Sequence, residues 1–393
     1  MLPYARPAID EDDIAAVVEV LRTPWLSSGP RTEALERAIC ESTGAPEAVA
    51  CASGTAALQL ALAAADVGPG SVCLVPAITF LSTATAALML GADVTFVDVD
   101  PASGLMDLRS LEQQLDRARD RAHAVLPVHL GGRLCDVEAV RRLAEPAGAV
   151  VIEDAAHALG VRTPEAAVGA CRHSAAACFS LHAIKTVAAG EGGAATTRDP
   201  EAAARMRRLR NHGVTREPER LADPQLSLDA EGRPNPWSYE QQELGFNLRM
   251  DEMSAALALS QLSKLQRFAE QRRRLSARYD GLLADMVPLV RPTDPDPDPG
   301  GCPHLYQVAV DFEAAGVERA TVMRRMAERG IGTQVHYIPL YRQPYMRRRV
   351  GSGPLPGAEA FYAATLSLPL HGAMIDPDTD RVVEALADAL GTA

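Results

Sequence analysis

The stretch Val150-Val151-Ile152-Glu153-Asp154-Ala155-Ala156-His157 reads as a near-continuous apolar strand that ends in a carboxylate. Strands apolar on both faces belong to parallel sheets covered by helices, and ligands in such sheets sit beyond the carboxyl ends of the strands. A carboxylate buried there is costly unless paired, so Asp154 calls for a partner: a structural Arg, a helix cap or a ligand cation. A second stretch, Phe179-Ser180-Leu181-His182-Ala183-Ile184-Lys185, puts an amine in small, apolar company that continues through Thr186-Val187-Ala188-Ala189-Gly190. Surface lysines seldom have such neighbours, and burial lowers a lysine pKa towards neutrality.

Working outward, the first two-thirds of the chain alternates helical and strand periodicity. Residues 10–21 and 31–42 read as amphipathic helices, and helical stretches at 55–65 and 81–90 separate short apolar runs. Those runs, at 48–52, 71–75, 93–97, 123–128, 149–152, 175–179 and 193–197, predict an α/β domain with a mainly parallel seven-stranded sheet and right-handed crossovers. Residues 250–283 read as a long helix, broken once, leading to a smaller C-terminal α+β unit. In that unit, 304–312 and 333–337 read as strands and 319–329 as a helix. The Pro-, Asp- and Gly-rich residues 291–301 read as a surface loop. The expected division is a large domain over 1–250 and a linking helix plus small domain over 251–393.

Composition narrows the function. The 393 residues carry a net charge of −12, which argues against broad nucleic-acid binding but leaves room for a small anionic ligand. Every apolar run is interrupted before it could span a bilayer, and residues 1–13 lack a signal-peptide pattern. A cytoplasmic enzyme is expected. The seven dispersed cysteines contain no C-x-x-C pair, so neither a zinc site nor a disulfide framework is read here, and no metal is expected.

Lys185 and Asp154 together meet the two demands of pyridoxal phosphate: a lysine for the Schiff base and an aspartate to keep the pyridinium nitrogen protonated. Cys51-Ala52-Ser53-Gly54-Thr55-Ala56-Ala57-Leu58 follows a strand and opens a helix. Gly54 admits the backbone to a ligand, and the first-turn N–H groups with the Ser53 and Thr55 hydroxyls make an anion site for the phosphate. Alone, the same residues read as an ordinary N-cap. Phe80, in Pro76-Ala77-Ile78-Thr79-Phe80, can stack on the pyridine or serve as core. His157 can meet the ring face or the 3-hydroxyl, or simply be satisfied in a buried loop. Ser180 can donate to the phosphate, His182 can order its segment, and Gly190-Glu191-Gly192-Gly193 carries backbone shape only.

These residues resemble the DegT/DnrJ/StrS sugar-nucleotide aminotransferases, on the aspartate-aminotransferase (type I) fold. The resemblance continues through Pro3-Tyr4-Ala5-Arg6-Pro7, Trp25-Leu26-Ser27-Ser28-Gly29-Pro30, Arg210-Asn211-His212-Gly213, Gly245-Phe246-Asn247-Leu248-Arg249-Met250 and Val335-His336-Tyr337-Ile338-Pro339-Leu340. It implies a homodimer with shared active sites, in which Asn247 reaches the cofactor phosphate of the neighbouring subunit. It implies that Arg249 either anchors that loop or meets an anionic substrate group. Trp25, Ser28, His182 and His336 are implied to line the sugar pocket. Within the family, residues 332–345 are similar to the transaminases of the pseudaminic acid pathway. That likeness implies L-glutamate as amino donor, pyridoxamine phosphate as the intermediate cofactor form and a UDP-4-keto-6-deoxy-N-acetylhexosamine as acceptor. Ser27-Ser28-Gly29 stands where Thr-Gln-Gly is expected, and residues 221–236 match no family pattern.

Other readings keep the fold and change the substrate: a different sugar position, a cyclitol, or another carbonyl. A sugar dehydratase would replace the Schiff-base lysine with His or add an iron–sulfur cluster. Lys185 is present, and no cysteine cluster is. A catalytically idle binding protein would be expected to have lost Lys185, Asp154 or the Ser53-Gly54-Thr55 turn.

Overall fold

In the computed structural model, which describes residues 1–118, 121–294 and 300–391, seven short runs form one sheet. They are β1 (Glu47–Cys51), β2 (Val72–Pro76), β3 (Asp93–Val97), β4 (Ala122–Val125), β5 (Val150–Asp154), β6 (Ala176–Ser180) and β7 (Gly193–Thr197). The spatial order is β1-β7-β6-β5-β4-β2-β3. All run parallel except β7, which lies antiparallel between β1 and β6. The seven-stranded, mainly parallel sheet expected from the sequence is therefore present. The reversed β7 has a positional effect. Its first residue, Gly193, pairs with both Cys51 and Ser180, so the carboxyl ends of β1 and β6 converge on its start. Asp154 closes β5 next door, opposite Cys178.

The helix Gly54–Ala64 follows β1 and is buried at every residue from Ala56 to Leu62, because it runs through the core instead of lying on it. Helices Leu108–Ala118 and Val137–Ala144 are strongly amphipathic and cover the sheet with Leu111, Leu115 and Val140. The expected long helix is broken at Lys264 into Glu252–Ser263 and Leu265–Leu283. Ala255, Ala258 and Leu262 of the first pack into a core shared with β6, whereas Leu275, Tyr279 and Leu283 of the second join a separate core.

That second core is built on an antiparallel sheet of Val290–Pro292, Tyr306–Val310 and Thr365–Leu368, with helices Arg319–Glu328 and Asp376–Leu390 against it. Pro292 sits in an edge strand, where a missing N–H is tolerated. The expected surface loop thus begins as a strand at 290–292, and its residues 295–299 lie outside the described residues. The strand expected at 333–337 is not formed. The place beside Tyr306–Val310 is taken by Thr365–Leu368, and the 333–337 segment meets the sheet through an isolated Gln334–Ser367 bridge and the hydrogen bonds of His336 to Ser367 and Gln307.

Residues 221–236 belong to an excursion between the paired segments 214–215 and 240–241, and they include a short helix, Pro224–Ser227. Glu240 fastens it, accepting from Ala222 N at 2.6 Å, Asp223 N at 2.9 Å and Ser227 Oγ at 2.6 Å. No helix among the described residues is long and apolar enough to cross a membrane.

Candidate active site

Where the carboxyl ends of β1, β5 and β6 converge lies a cavity of about 570 Å³. Asp154 lines its floor and is only 4% exposed. Its Oδ2 accepts from Thr83 Oγ1 at 2.7 Å, and its Oδ1 accepts from the Ala156 N–H at 3.1 Å. Thr83 is itself set by Thr79, one helical turn earlier, at 2.7 Å. The carboxylate is thus aimed by the first turn of the helix Leu81–Met89, and among the described residues it has no arginine partner and caps no helix. Of the partners considered from sequence, a ligand cation is the one this arrangement accommodates.

Lys185 enters the same cavity from a tight turn after β6. Leu181 and Ala183 donate to Gly192 and Gly190 carbonyls, and Lys185 N donates to His182 O at 2.8 Å, which folds the segment back over the sheet. Burial brings the amine down to about 8, against the opposing pull of Asp154. An amine in that range is still mainly protonated at pH 7, yet it releases its proton far more readily than a free lysine, so a neutral fraction is available near physiological pH.

At the other end, Ser53 caps the helix Gly54–Ala64, its Oγ accepting from Ala56 N at 3.1 Å. The cap does not exhaust the group: the hydroxyl keeps its own proton to donate. The Gly54 and Thr55 N–H groups belong to the first turn and have no intrahelical acceptor. Glycine is required in this corner. A Cβ on Gly54 would lie 2.8 Å from Ser180 Cβ, and one on Gly193 would lie 2.3 Å from Ser53 O. Ser53, Gly54, Thr55 and Ser180 therefore form one close-packed cradle at a helix N-terminus.

The remaining walls carry rings. Phe80 is 55% exposed, with its ring 6.0 Å from that of Tyr337. His157 is buried, and its Nδ1 accepts from Gly131 N. His336 lines the cavity with its Nδ1 held at 2.8 Å by Ser367 Oγ. Burial, aided by Lys185, takes its pKa down to about 3, so it is neutral. His182 lies at the mouth, 3.8 Å from Glu191.

Trp25, Ser28, Asn247 and Arg249 lie apart from this single-chain cavity. They belong to one exposed rim: Ser27 bridges Asp251, Glu252 N donates to Leu26 O, and Arg249 Nη1 donates to Asn211 Oδ1 at 2.5 Å. Glu252 caps the helix Pro30–Thr43 through Arg31 N at 2.7 Å and Thr32 N at 3.1 Å. It can do so because Gly29 has no Cβ, which would lie 2.8 Å from the carboxylate. Trp25 remains 57% exposed.

Sequence reasoning missed Tyr337, Tyr4 and Gln334 as cavity residues and Thr83 as the buried partner of Asp154. Thr83 had a local signal, its four-residue spacing from Thr79, but its partner Asp154 is on another strand. Tyr337 was visible only as part of a longer motif.

An amine near neutrality, a supported carboxylate and a glycine-floored cradle at a helix N-terminus fit an aromatic aldehyde phosphate of the pyridoxal type. Comparison with known proteins agrees. A sequence model of the DegT/DnrJ/EryC1/StrS aminotransferase family matches residues 7–387. The chain is 36% identical over 390 residues to the spore coat polysaccharide biosynthesis protein SpsC of Bacillus subtilis, covering 98% of this chain and 96% of that protein. It superposes on Helicobacter pylori PseC, an aminotransferase involved in the biosynthesis of pseudoaminic acid, with a TM-score of 0.89 at 28% identity over 100% of both chains. A putative sugar aminotransferase from Streptococcus pneumoniae in its PMP form gives a TM-score of 0.88 at 28% identity, covering 100% of this chain and 99% of the other.

Proposed function

Because the chain belongs to the DegT/DnrJ/EryC1/StrS aminotransferase family, we propose that it moves an amino group from L-glutamate to the ketone of a nucleotide-linked sugar, a UDP-4-keto-6-deoxy-N-acetylhexosamine. The family is pyridoxal phosphate-dependent, and relatives have been solved in PLP and PMP forms. The likeness to PseC supports the choice of sugar. The observation that carries the reading is the pairing of Lys185, brought down to about 8, with Asp154 in one cavity.

Asp154 would hold the ring nitrogen. Ser53, Gly54, Thr55 and Ser180 would hold the phosphate, and Phe80 and His157 would meet the ring. The bound cofactor supplies an electron sink for charge developing at Cα of the amino donor. Lys185 Nζ serves as the base that removes the Cα proton and returns it on the other side of the exchange. Thr83 keeps the Asp154 carboxylate in place throughout.

The exposed rim supports a shared site between two copies. Asn247 and Arg249 of one copy would reach the cavity of the next, and Trp25 and Ser28 would border the sugar. Seven free thiols suit a reducing compartment, and the cytoplasm is the proposed location.

The test is the absorption spectrum of the PLP-loaded protein. L-Glutamate should convert it to the PMP spectrum, and a matching keto-sugar nucleotide should restore it. A panel differing in nucleotide, keto position, or sugar against cyclitol assigns the acceptor. A loaded protein whose spectrum ignores glutamate and other amino acids would refute the transaminase reading.

A further inference from the structure

The hydrogen bonds behind the cavity wall have a direction. The Gly131 N–H donates to His157 Nδ1 at 3.2 Å. A ring nitrogen that accepts a backbone N–H carries no proton, so neutral His157 bears its proton on Nε2. Burial, followed by the charges of Lys185, His336 and Arg133, holds the imidazole well below its ordinary pKa and keeps it neutral. Nε2 lies 3.3 Å from Tyr337 Oη. With the proton on Nε2, the imidazole donates and the phenol oxygen accepts. The phenol then has its own proton free, and Tyr337 lines the cavity.

The imidazole cannot easily turn to reverse this order. His304 packs on it with ring centroids 4.5 Å apart, and His304 N donates to Gly131 O at 2.8 Å. Gly131 thus holds His157 through its N–H and the backing residue through its carbonyl. Gly131 sits at φ +70°, and a Cβ there would come within 3.1 Å of Gln307 Oε1. His157 lies against the Tyr337 hydroxyl, the His336 ring is 4.9 Å from the Tyr337 ring, and the ionisable groups Tyr4, Asp154, His182, Lys185 and Glu191 line the same cavity. Burial, with Asp154 and Tyr4 nearby, raises the phenol pKa, so the hydroxyl stays protonated.

We propose that Tyr337 is a hydrogen-bond donor of the active site, aligned by His157 and the Gly131 N–H, and that it serves an oxygen acceptor in the cavity. The acceptor is an oxygen bearing partial or full negative charge: the ring oxygen of the cofactor or the ketone oxygen of the sugar. This rests on the transaminase reading for its ligand, while the donor order rests on the protein alone.

Two measurements test it. In the cofactor-free protein at pH 7, 15N NMR of the His157 ring, assigned by its loss in His157→Gln, should show the neutral Nε2–H form. An Nδ1–H tautomer or an imidazolium overturns the donor order, whatever the protein catalyses. In the PLP-loaded protein, Tyr337→Phe should retain wild-type circular dichroism. If the acceptor is the ring oxygen, the pH midpoint of the visible band should rise by about one pH unit, as for loss of one hydrogen bond to a charged group. If the acceptor is the ketone, the midpoint should stay, and the sugar half-reaction should slow by about tenfold with the glutamate half-reaction unchanged. A variant with wild-type midpoint and wild-type rates in both halves overturns the proposal. Failure of the wild type to react with glutamate would count against the transaminase reading, and the NMR result would still decide the alignment.

Discussion

Replacing Lys185 with methionine should make the cofactor-free protein more stable at neutral pH. Methionine keeps most of the side chain's volume and removes the amine. In the folded chain, burial brings that amine from 10.5 down to about 8, with Asp154 pulling the other way. A difference of that size corresponds to roughly 3 kcal/mol between the protonated and neutral forms. The side chain still meets cavity solvent, so about 1–3 kcal/mol is the expected gain. The sign follows from proton binding. Below about 8 both folded and unfolded chains hold the proton, and the folded state bears the full cost. Between about 8 and 10.5 the unfolded chain holds a proton that the folded chain has released, so wild-type stability climbs with pH. The advantage of Lys185→Met should therefore be largest at pH 7 and shrink towards pH 10.5. The assay is denaturant unfolding of both proteins without cofactor, at matched protein concentration, from pH 7 to 10. A variant less stable than wild type at pH 7, or a difference independent of pH, would refute the reasoning. Adding PLP should reverse the ranking, since only the wild type gains the full linkage to the cofactor.

Thr83→Val removes the 2.7 Å bond to Asp154 while keeping shape. Loss of a hydrogen bond to a charged group, about 1.5–3 kcal/mol, should weaken PLP binding by roughly 10- to 100-fold in a fluorescence titration. Gly193→Ala would force a Cβ to 2.3 Å from Ser53 O. It should destabilise the fold by about 1–3 kcal/mol and abolish PLP binding, read by denaturation and titration together. Glu240→Ala leaves three donors of the 216–239 excursion without their acceptor. Limited proteolysis should then cut within 216–239 much faster, with the rest of the chain unchanged. These bonds hold the Glu240 pKa below 4.5, so in the wild type the fastening should persist above that value and weaken only as pH falls through the lowered one.

The parts legible in the sequence were those whose meaning is local. Val150–Asp154 announces a buried parallel strand by being apolar on both faces, and Lys185 stands out because its neighbours are small and apolar. The seven strands follow from alternation with helices, which leaves little topological choice. Thr83 was not legible as a partner of Asp154, because its role depends on which helix lies above which strand end. The strand expected at 333–337 has suitable residues, but a strand needs a vacant neighbour. Thr365–Leu368, further along the chain, occupies that place. Trp25, Ser28, Asn247 and Arg249 were grouped with the cavity through resemblance, and within one chain they form a separate rim. In the shared site proposed above, their relation to the cavity would depend on a second copy, which one chain's residue pattern does not encode.

The antiparallel β7 has a consequence for biosynthesis. In the sheet β1 has one neighbour, β7. A nascent chain that has emerged through Ser180 can already pair β2 with β3 and β4, and β5 with β6, yet β1 has no partner until Gly193–Thr197 follows. The Ser53 turn leans on that same strand. The Ser53 end of the cavity is therefore built only once β7 has emerged, about halfway along the chain, and the apolar run Ala48–Cys51 stays unpaired until then. Protection of that run by the emerging helices or by a chaperone becomes a requirement of synthesis, separate from anything the finished protein must do.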